Sequence, residues 1–281
     1  VIASLAFIAA AGCGRHLDDH LRLLDLEYDK TEGESLKCDF VRPQGDGPFP
    51  LVVCIHGGGW RQGSRKEYAE FQSTMAGKGV ATVSVQYRFA PAAKFPAQLH
   101  DIRNALKFVL ADTSRFRIDP MRIMWMGGSA GGHLALLAGF EKNDAFETRL
   151  IVNVAGPTDM RTFRSMPSGD VVLKKYVTRD SSELIADLLG TDDRTADIYR
   201  EASPVEHVRP DGPRVLTLHG EKDDIVPITQ AESLHAKLKE MKVPEELIRV
   251  RNGGHDMAAW ESGERLQALI KVVEAIEAVA K

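Results

Sequence analysis

The sequence predicts an α/β protein built on a doubly wound, mostly parallel sheet with helices on both faces. Three observations carry this. Short apolar runs recur along the chain, each followed by a loop and then a stretch with helical apolar spacing. The runs are continuously hydrophobic rather than alternating, as strands buried on both faces of a parallel sheet require. The 281 residues, 43% hydrophobic and 27% charged, suit one large domain with a sizeable core.

The elements follow in order. Leu24–Asp29 and Leu36–Val41 read as a hairpin around Glu32-Gly33-Glu34. The buried strands are Leu51–Ile55, Val80–Val85, Arg122–Met126, Leu150–Ala155, Arg214–Leu218 and Leu247–Arg251. The helices are Tyr68–Lys78, Pro96–Ala111, Ala130–Phe140, Thr229–Met241 and Gly263–Ala280, each with apolar spacing for one buried stripe. Strands alternating with helices imply right-handed crossovers. Asp159–Ser203 breaks the rhythm: it is polar, contains Pro167-Ser168-Gly169 and reads as short helices. Residues 159–203 are expected to form a small helical cap excursion over the C-terminal edge of the sheet, where the site of an open α/β sheet lies. A surface insertion without function is the other reading.

Residues 1–23 are expected to be a signal or lipoprotein-like N-terminal segment, and 24–281 the catalytic domain. Val1–Ala11 has the length and apolarity of a signal-peptide core and is too short to span a bilayer comfortably. Ala9-Ala10-Ala11 offers an A-x-A cleavage site. Ala10-Ala11-Gly12-Cys13 resembles a bacterial lipobox, with Ala10 where Leu is usual; a lipidated Cys13 would then attach the protein to a membrane. Both point to an exported protein, periplasmic or anchored as a lipoprotein. A buried N-terminal helix competes, but nothing caps it and Gly12-Cys13-Gly14 follows at once. Cys13, Cys38 and Cys54 show no metal spacing. Cys38 and Cys54 read as small core residues, and a disulfide between them stays open. A net charge of −4 without a dense Lys/Arg stripe argues against a nucleic-acid partner. The oligomeric state is not legible.

The chemistry begins at Gly127-Gly128-Ser129-Ala130-Gly131-Gly132, which follows a strand and opens a helix. In that context G-x-S-x-G is a nucleophile elbow, a strained turn that lifts the Ser129 hydroxyl above the sheet edge. A phosphate-binding turn would need the Walker lysine or the G-x-G-x-x-G spacing, and neither is present. His56-Gly57-Gly58-Gly59-Trp60 follows the LVVCI strand; its glycines let backbone N–H groups, with that of Ala130, face an oxyanion. His56 precedes the serine and is expected to brace this loop. Trp60 either lines the acyl pocket or packs.

Ser129 needs a base, because a serine hydroxyl is a poor nucleophile at neutral pH. His219–Pro227 and Gly253–Met257 each follow a predicted strand, and so deliver an acid and a histidine to the same sheet edge. The H-G-x-x-D-x-x-V-P spacing selects Asp223 over its neighbours Asp224 and Glu221. His255 follows the acid in the order this chemistry uses. His207, His219 and His235 also follow the serine, but His219 precedes the acid and His235 lies in a polar-faced helix. His133, on the elbow helix, is expected to pack or to hydrogen-bond.

Together HGGGWRQGSR (56–65), SVQYRFAPAAKFPAQLHD (84–101), GGSAGGHLA (127–135), GPTD (156–159), ASPVEHV (202–208) and HGEKDDIVP (219–227) resemble the hormone-sensitive lipase group of esterases. They resemble more closely the bifunctional feruloyl and acetyl-xylan esterase family, from about residue 24 to the C-terminus. The resemblance implies the α/β-hydrolase fold, oxyanion donors at Gly58, Gly59 and Ala130, and a small-molecule or polysaccharide ester as substrate. No metal or organic cofactor is implied, because the nucleophile, base and oxyanion donors are all protein groups. Two positions depart from the lipase group: Gly128 and Gln86 stand where that group usually has Asp. The acid-loop motif, followed by Gln230 and Ser233, is also similar to prolyl oligopeptidases, which keeps a peptidase or amidase as the alternative. A non-catalytic binding protein on this fold would typically have lost one of the three triad candidates, and all three are present.

Overall fold

Two chain reversals and five crossovers place every strand in one sheet. A computed structural model describes residues 20–31, 33–169 and 180–281. β1 (His20–Thr31) and β2 (Glu34–Pro43) form the expected antiparallel hairpin, and β1 begins at His20, inside the segment assigned to the N-terminal leader. His20–Leu23 pair with Phe40–Pro43, so a boundary at 23/24 would cut a strand. The leader run, both cleavage motifs and Cys13 lie outside the described residues.

The chain continues through β3 (Phe49–Ile55), α1 (Ala69–Gly77), β4 (Ala81–Val85), α2 (Ala97–Leu110), the short α3 (Thr113–Phe116) and β5 (Ile118–Gly128). Then come α4 (Ala130–Phe140), β6 (Thr148–Val154), α5 (Ser181–Leu189), α6 (Asp197–Glu201), β7 (Arg214–Gly220), α7 (Thr229–Glu240), β8 (Glu245–Val250) and α8 (Ser262–Ala280). The strand order is β1-β2-β4-β3-β5-β6-β7-β8. β2 runs antiparallel to both neighbours, and every pair from β4 onward is parallel. This is the α/β-hydrolase arrangement the motifs implied. The order reverses at β3, with β4 on one side and β5 on the other. Such a switch point leaves a crevice outside the C-terminal ends of the two central strands. Ile55 pairs with Gly127, so β3 and β5 end level and their following loops emerge side by side.

The continuous apolar runs resolve into two faces because side chains alternate along a strand. Leu51, Val53 and Ile55 join Ile123, Trp125 and the residues of α2 and α4 in one cluster. Val52 and Cys54 join Met124, Met126, Phe71 of α1 and Val272 of α8 in the other. α4 departs from the expectation of one buried stripe. All eleven of its residues are buried, because it lies between the sheet, α2 and the returning end of the excursion.

The same alternation excludes a Cys38–Cys54 bridge. Cys38 lies on β2 opposite Val85, and Cys54 lies on β3 opposite Ser84, with β4 between them. Two strand spacings are about 9–10 Å, beyond the reach of a disulfide. The thiols also point to opposite faces of the sheet. Both are free and fully buried, and burial pushes the Cys38 thiol up to about 12. Adding dithiothreitol is therefore expected to leave the thermal midpoint unchanged to about 1 °C, whereas breaking a bridge would lower it by several degrees.

Candidate active site

The turn between β5 and α4 sets the geometry. Ser129 adopts φ 54°, ψ −123°, a conformation that a side-chain-bearing residue holds only when its surroundings enforce it. Its N–H donates to Val154 O (2.8 Å), and its carbonyl accepts from His133 N (3.1 Å). The helix can start this close to the sheet only without side chains. A Cβ on Gly127 would strike the Gly131 carbonyl, and one on Gly131 would strike the carbonyl of Ile55 at the end of β3.

The sheet delivers two more groups to the same edge. His255, on the loop after β8, has Nε2 2.9 Å from Ser129 Oγ and Nδ1 2.8 Å from Asp223 Oδ2. Asp223, on the loop after β7, is 5% exposed, and its Oδ1 accepts from the N–H groups of Ile225 (3.0 Å) and Val226 (2.8 Å). Burial pushes this carboxyl upward, but adjacent His255 and the hydrogen bonds from His219 and His255 outweigh it and hold it down at about 2. Asp223 therefore stays ionised and can orient His255 through Nδ1–H. Asp224, the competing acid, contributes only its carbonyl to a neighbouring loop.

The loop after β3 runs alongside. Gly58 (φ 108°), Gly59 (φ 60°) and Trp60 (φ 59°) form three successive positive-φ residues. A Cβ on Gly58 would collide with the carbonyl of Gln62, and one on Gly57 would lie 3.4 Å from Ser129 Cβ. The N–H groups of Gly58 and Gly59 meet no protein acceptor among the described residues. Ala130, as the first residue of α4, has no intrahelical acceptor for its own. The three candidate donors thus flank Ser129 unengaged.

His56 braces this loop as expected. Its ring stacks on Tyr87 with centroids 4.4 Å apart, Nδ1–H donates to Gly57 O (2.8 Å), and the Tyr87 hydroxyl donates to His56 O (3.0 Å). Trp60 takes the packing alternative: it is 3% exposed, and its indole N–H donates to His133 Nδ1 (3.2 Å). His133 passes the link on, donating from Nε2 to Ala202 O (2.7 Å). His207 and His235 bond to Glu201 O and Glu245, away from the triad. Gln86 holds Arg65 through Oε1 (3.2 Å) beside the Arg65–Asp39 pair (3.0 Å).

The excursion is tied down on several sides of the site. Arg61 of the glycine loop pairs with Asp187 of α5 (3.0 Å), and Leu184 sits where a Cβ on Gly59 would be 3.4 Å away. Phe95 N donates to Leu188 O (2.8 Å), and Met166 N donates to Asp224 O (2.7 Å). At its root, Gln230 Oε1 accepts from the N–H groups of Thr158 and Asp159, both at 2.9 Å. Residues 170–179 lie outside the described residues. The sequence reading missed the Arg61–Asp187 pair, the only hint of which was opposite charge. It also missed the 3.4 Å approach of His219 to Asp223, four residues before the acid in the same motif. Among the described residues no group of three His, Cys, Asp or Glu side chains is arranged to hold a metal ion. No described helix is long and apolar enough to cross a membrane.

Residues 38–238 match the BD-FAE family model. Esterase LipC of Mycobacterium tuberculosis (strain ATCC 25618 / H37Rv) is 31% identical over 209 residues, covering 68% of this chain and 49% of that protein. The chain spans about half the length of the curated relatives it matches first. Among solved structures, a bifunctional GH43-CE protein of Bacteroides eggerthii is 27% identical with a TM-score of 0.75, over 92% of this chain and 38% of that one. A truncated carbohydrate esterase from gut microbiota shares the fold, with a TM-score of 0.73 at 23% identity over 91% of this chain and 96% of that one.

Burial lowers both His56 and His133 from 6.5 to about 4, so each is neutral in the fold. Between those values the unfolded chain binds more protons than the folded one, and stability therefore falls as pH drops from 6.5 towards 4. The expected loss is about 3 kcal/mol for each histidine. Asp223, with its lowered value, withdraws its own contribution only below pH 4 as pH falls towards 2. Urea unfolding at pH 7 and pH 4.5 measures the histidine effect, and equal stabilities would contradict it.

Proposed function

This chain belongs to the BD-FAE family, and from that membership and the site we propose that it is a serine carboxylic ester hydrolase acting on short-acyl or carbohydrate-linked esters of the acetyl or feruloyl type. One observation carries the reading: Ser129 Oγ, His255 and Asp223 form a continuous hydrogen-bonded chain beside the unengaged N–H groups of Gly58, Gly59 and Ala130.

The chemistry follows from those positions. His255 Nε2 takes the Ser129 proton as Oγ attacks the ester carbonyl, while Asp223 keeps the imidazole oriented through Nδ1–H. The carbonyl oxygen becomes an oxyanion, which the unengaged N–H groups of Gly58, Gly59 and Ala130 are there to receive. Collapse expels the alcohol, protonated by His255, and leaves an acyl group on Ser129. Water activated by the same imidazole then releases the acid and restores the serine. No step calls for a metal or organic cofactor.

The substrate class rests on the family and on two features of the chain. Gly128 replaces the Asp of the lipase group, and α5 lies low over the glycine loop, which favours a small acyl group. The similar Bacteroides eggerthii structure is a bifunctional GH43-CE protein, in line with a carbohydrate ester. The amidase alternative rests on the acid-loop motif followed by Gln230 and Ser233, of which Gln230 binds the Thr158–Asp159 backbone. The apolar run Val1–Ala11 and Cys13 support an exported, lipid-anchored location for the enzyme.

With p-nitrophenyl acetate, Ser129→Ala and Asp223→Asn are each expected to lower kcat by about 10⁴-fold or more. Turnover by Ser129→Ala at the wild-type rate would remove the proposal. Leu184→Ala should open space beside Gly59, raising kcat/KM for the butyrate ester relative to the acetate by about tenfold. An unchanged ratio would show that α5 does not limit acyl length.

A further inference from the structure

His219 is a buried titratable group that the mechanism above does not use. It is the penultimate residue of β7, and its side chain is fully enclosed. Nε2 lies 2.7 Å from Val226 O, so that nitrogen carries the proton and donates it. Because Val226 O is held, the loop that carries the acid is closed onto the strand it left. The same Nε2 lies 3.4 Å from Asp223 Oδ2, the oxygen that accepts from His255 Nδ1 at 2.8 Å. Two imidazole N–H groups therefore converge on one carboxylate oxygen, while two backbone N–H groups hold the other. Nδ1 of His219 is buried and meets no partner among the described residues. A hydrocarbon side chain would fill this space without an orphaned nitrogen, so packing alone does not account for an imidazole here.

Resting on the proposed ester hydrolysis, we infer that His219 is a positioning residue of the triad, holding the acid loop through Val226 and sharing Asp223 Oδ2 with His255. The sharing has a chemical consequence. Removing one of the two donors would leave more of the carboxylate's negative charge facing His255. The other charged groups nearby leave this arrangement to the two imidazoles. Glu221, Lys222 and Asp256 are exposed and Asp224 is half-buried, while Arg249, opposite His219 on β8, pairs with Glu232 and Glu221. Beyond burial, which works against it, the influences on the Asp223 charge come from His255 and His219.

The test compares His219→Phe, which keeps a ring but has no donor, with His219→Gln, whose amide can donate to Val226 O. The readouts are the pH profile of kcat/KM for p-nitrophenyl acetate and the titration of the His255 ring nitrogens by ¹⁵N NMR. His219→Phe is expected to lower kcat about tenfold with KM within about twofold. It should also move both the acid limb and the His255 titration to higher pH by about half a unit or more. His219→Gln should recover most of the loss. An acid limb and a His255 titration that stay in place or move to lower pH would overturn the inference. So would a His219→Gln as impaired as His219→Phe with no shift in either. If His219→Phe does not fold, His219→Asn, whose amide falls short of Val226, is read against the same outcomes. A wild-type protein that turns over no ester would defeat the proposed function instead, and the NMR titration would still decide the role of His219.

Discussion

The arrangement depends on how closely α4 begins against the end of β3. Gly131 lies against the Ile55 carbonyl, and Gly127 lies against the Gly131 carbonyl, so strand, turn and helix meet backbone to backbone. That contact forces the Ser129 backbone into its positive-φ conformation and leaves the Ala130 N–H at the helix start without an internal acceptor. It also sets the glycine loop after β3 directly beside the hydroxyl. One steric constraint thus brings the Ser129 hydroxyl and the candidate donors together, and the helix dipole adds favourable potential for negative charge at the same point.

A second constraint supports the first from the far side of the sheet. Asp223 is buried and ionised, which is tolerable only because each carboxylate oxygen has donors. Satisfying that charge orders the acid loop and aims the His255 ring at Ser129. The enclosed neutral histidines work differently. His56 and His133 are neutral because burial disfavours their charged forms, and this lets His133 accept from Trp60 with one nitrogen while donating to Ala202 with the other. The glycine loop, the elbow helix and the end of the excursion are thereby linked through one ring.

The excursion itself is held by contacts between groups distant in sequence. Arg61 meets Asp187, Phe95 meets Leu188 and Met166 meets Asp224. Each joins it to a different loop, so its described parts are held to the glycine loop on one side and to the acid loop on the other.

Much of this was legible in the chain because it depends on local pattern. The apolar runs marked six parallel strands within a few residues, five because a strand buried on both faces must be apolar throughout, whereas β8 at the sheet edge is only half-buried. Ser129, Asp223 and His255 could be read because each follows its own strand in a tight, composition-specific loop, and parallel strands bring such loops to one edge. What periodicity could not show were features set by non-local geometry. α4 is buried all round, not along one stripe, because the excursion returns across its outer face. Cys38 and Cys54 cannot pair, because β4 is inserted between their strands. Trp60 turns inward because His133, 73 residues away, offers its indole an acceptor. His219 faces the triad acid because the acid loop folds back onto its own strand. The sequence by itself determined the element types and the catalytic candidates, through constraints acting over a few residues. Only the tertiary structure decided which buried polar groups would meet, because each such pairing depends on where distant backbone segments come to rest.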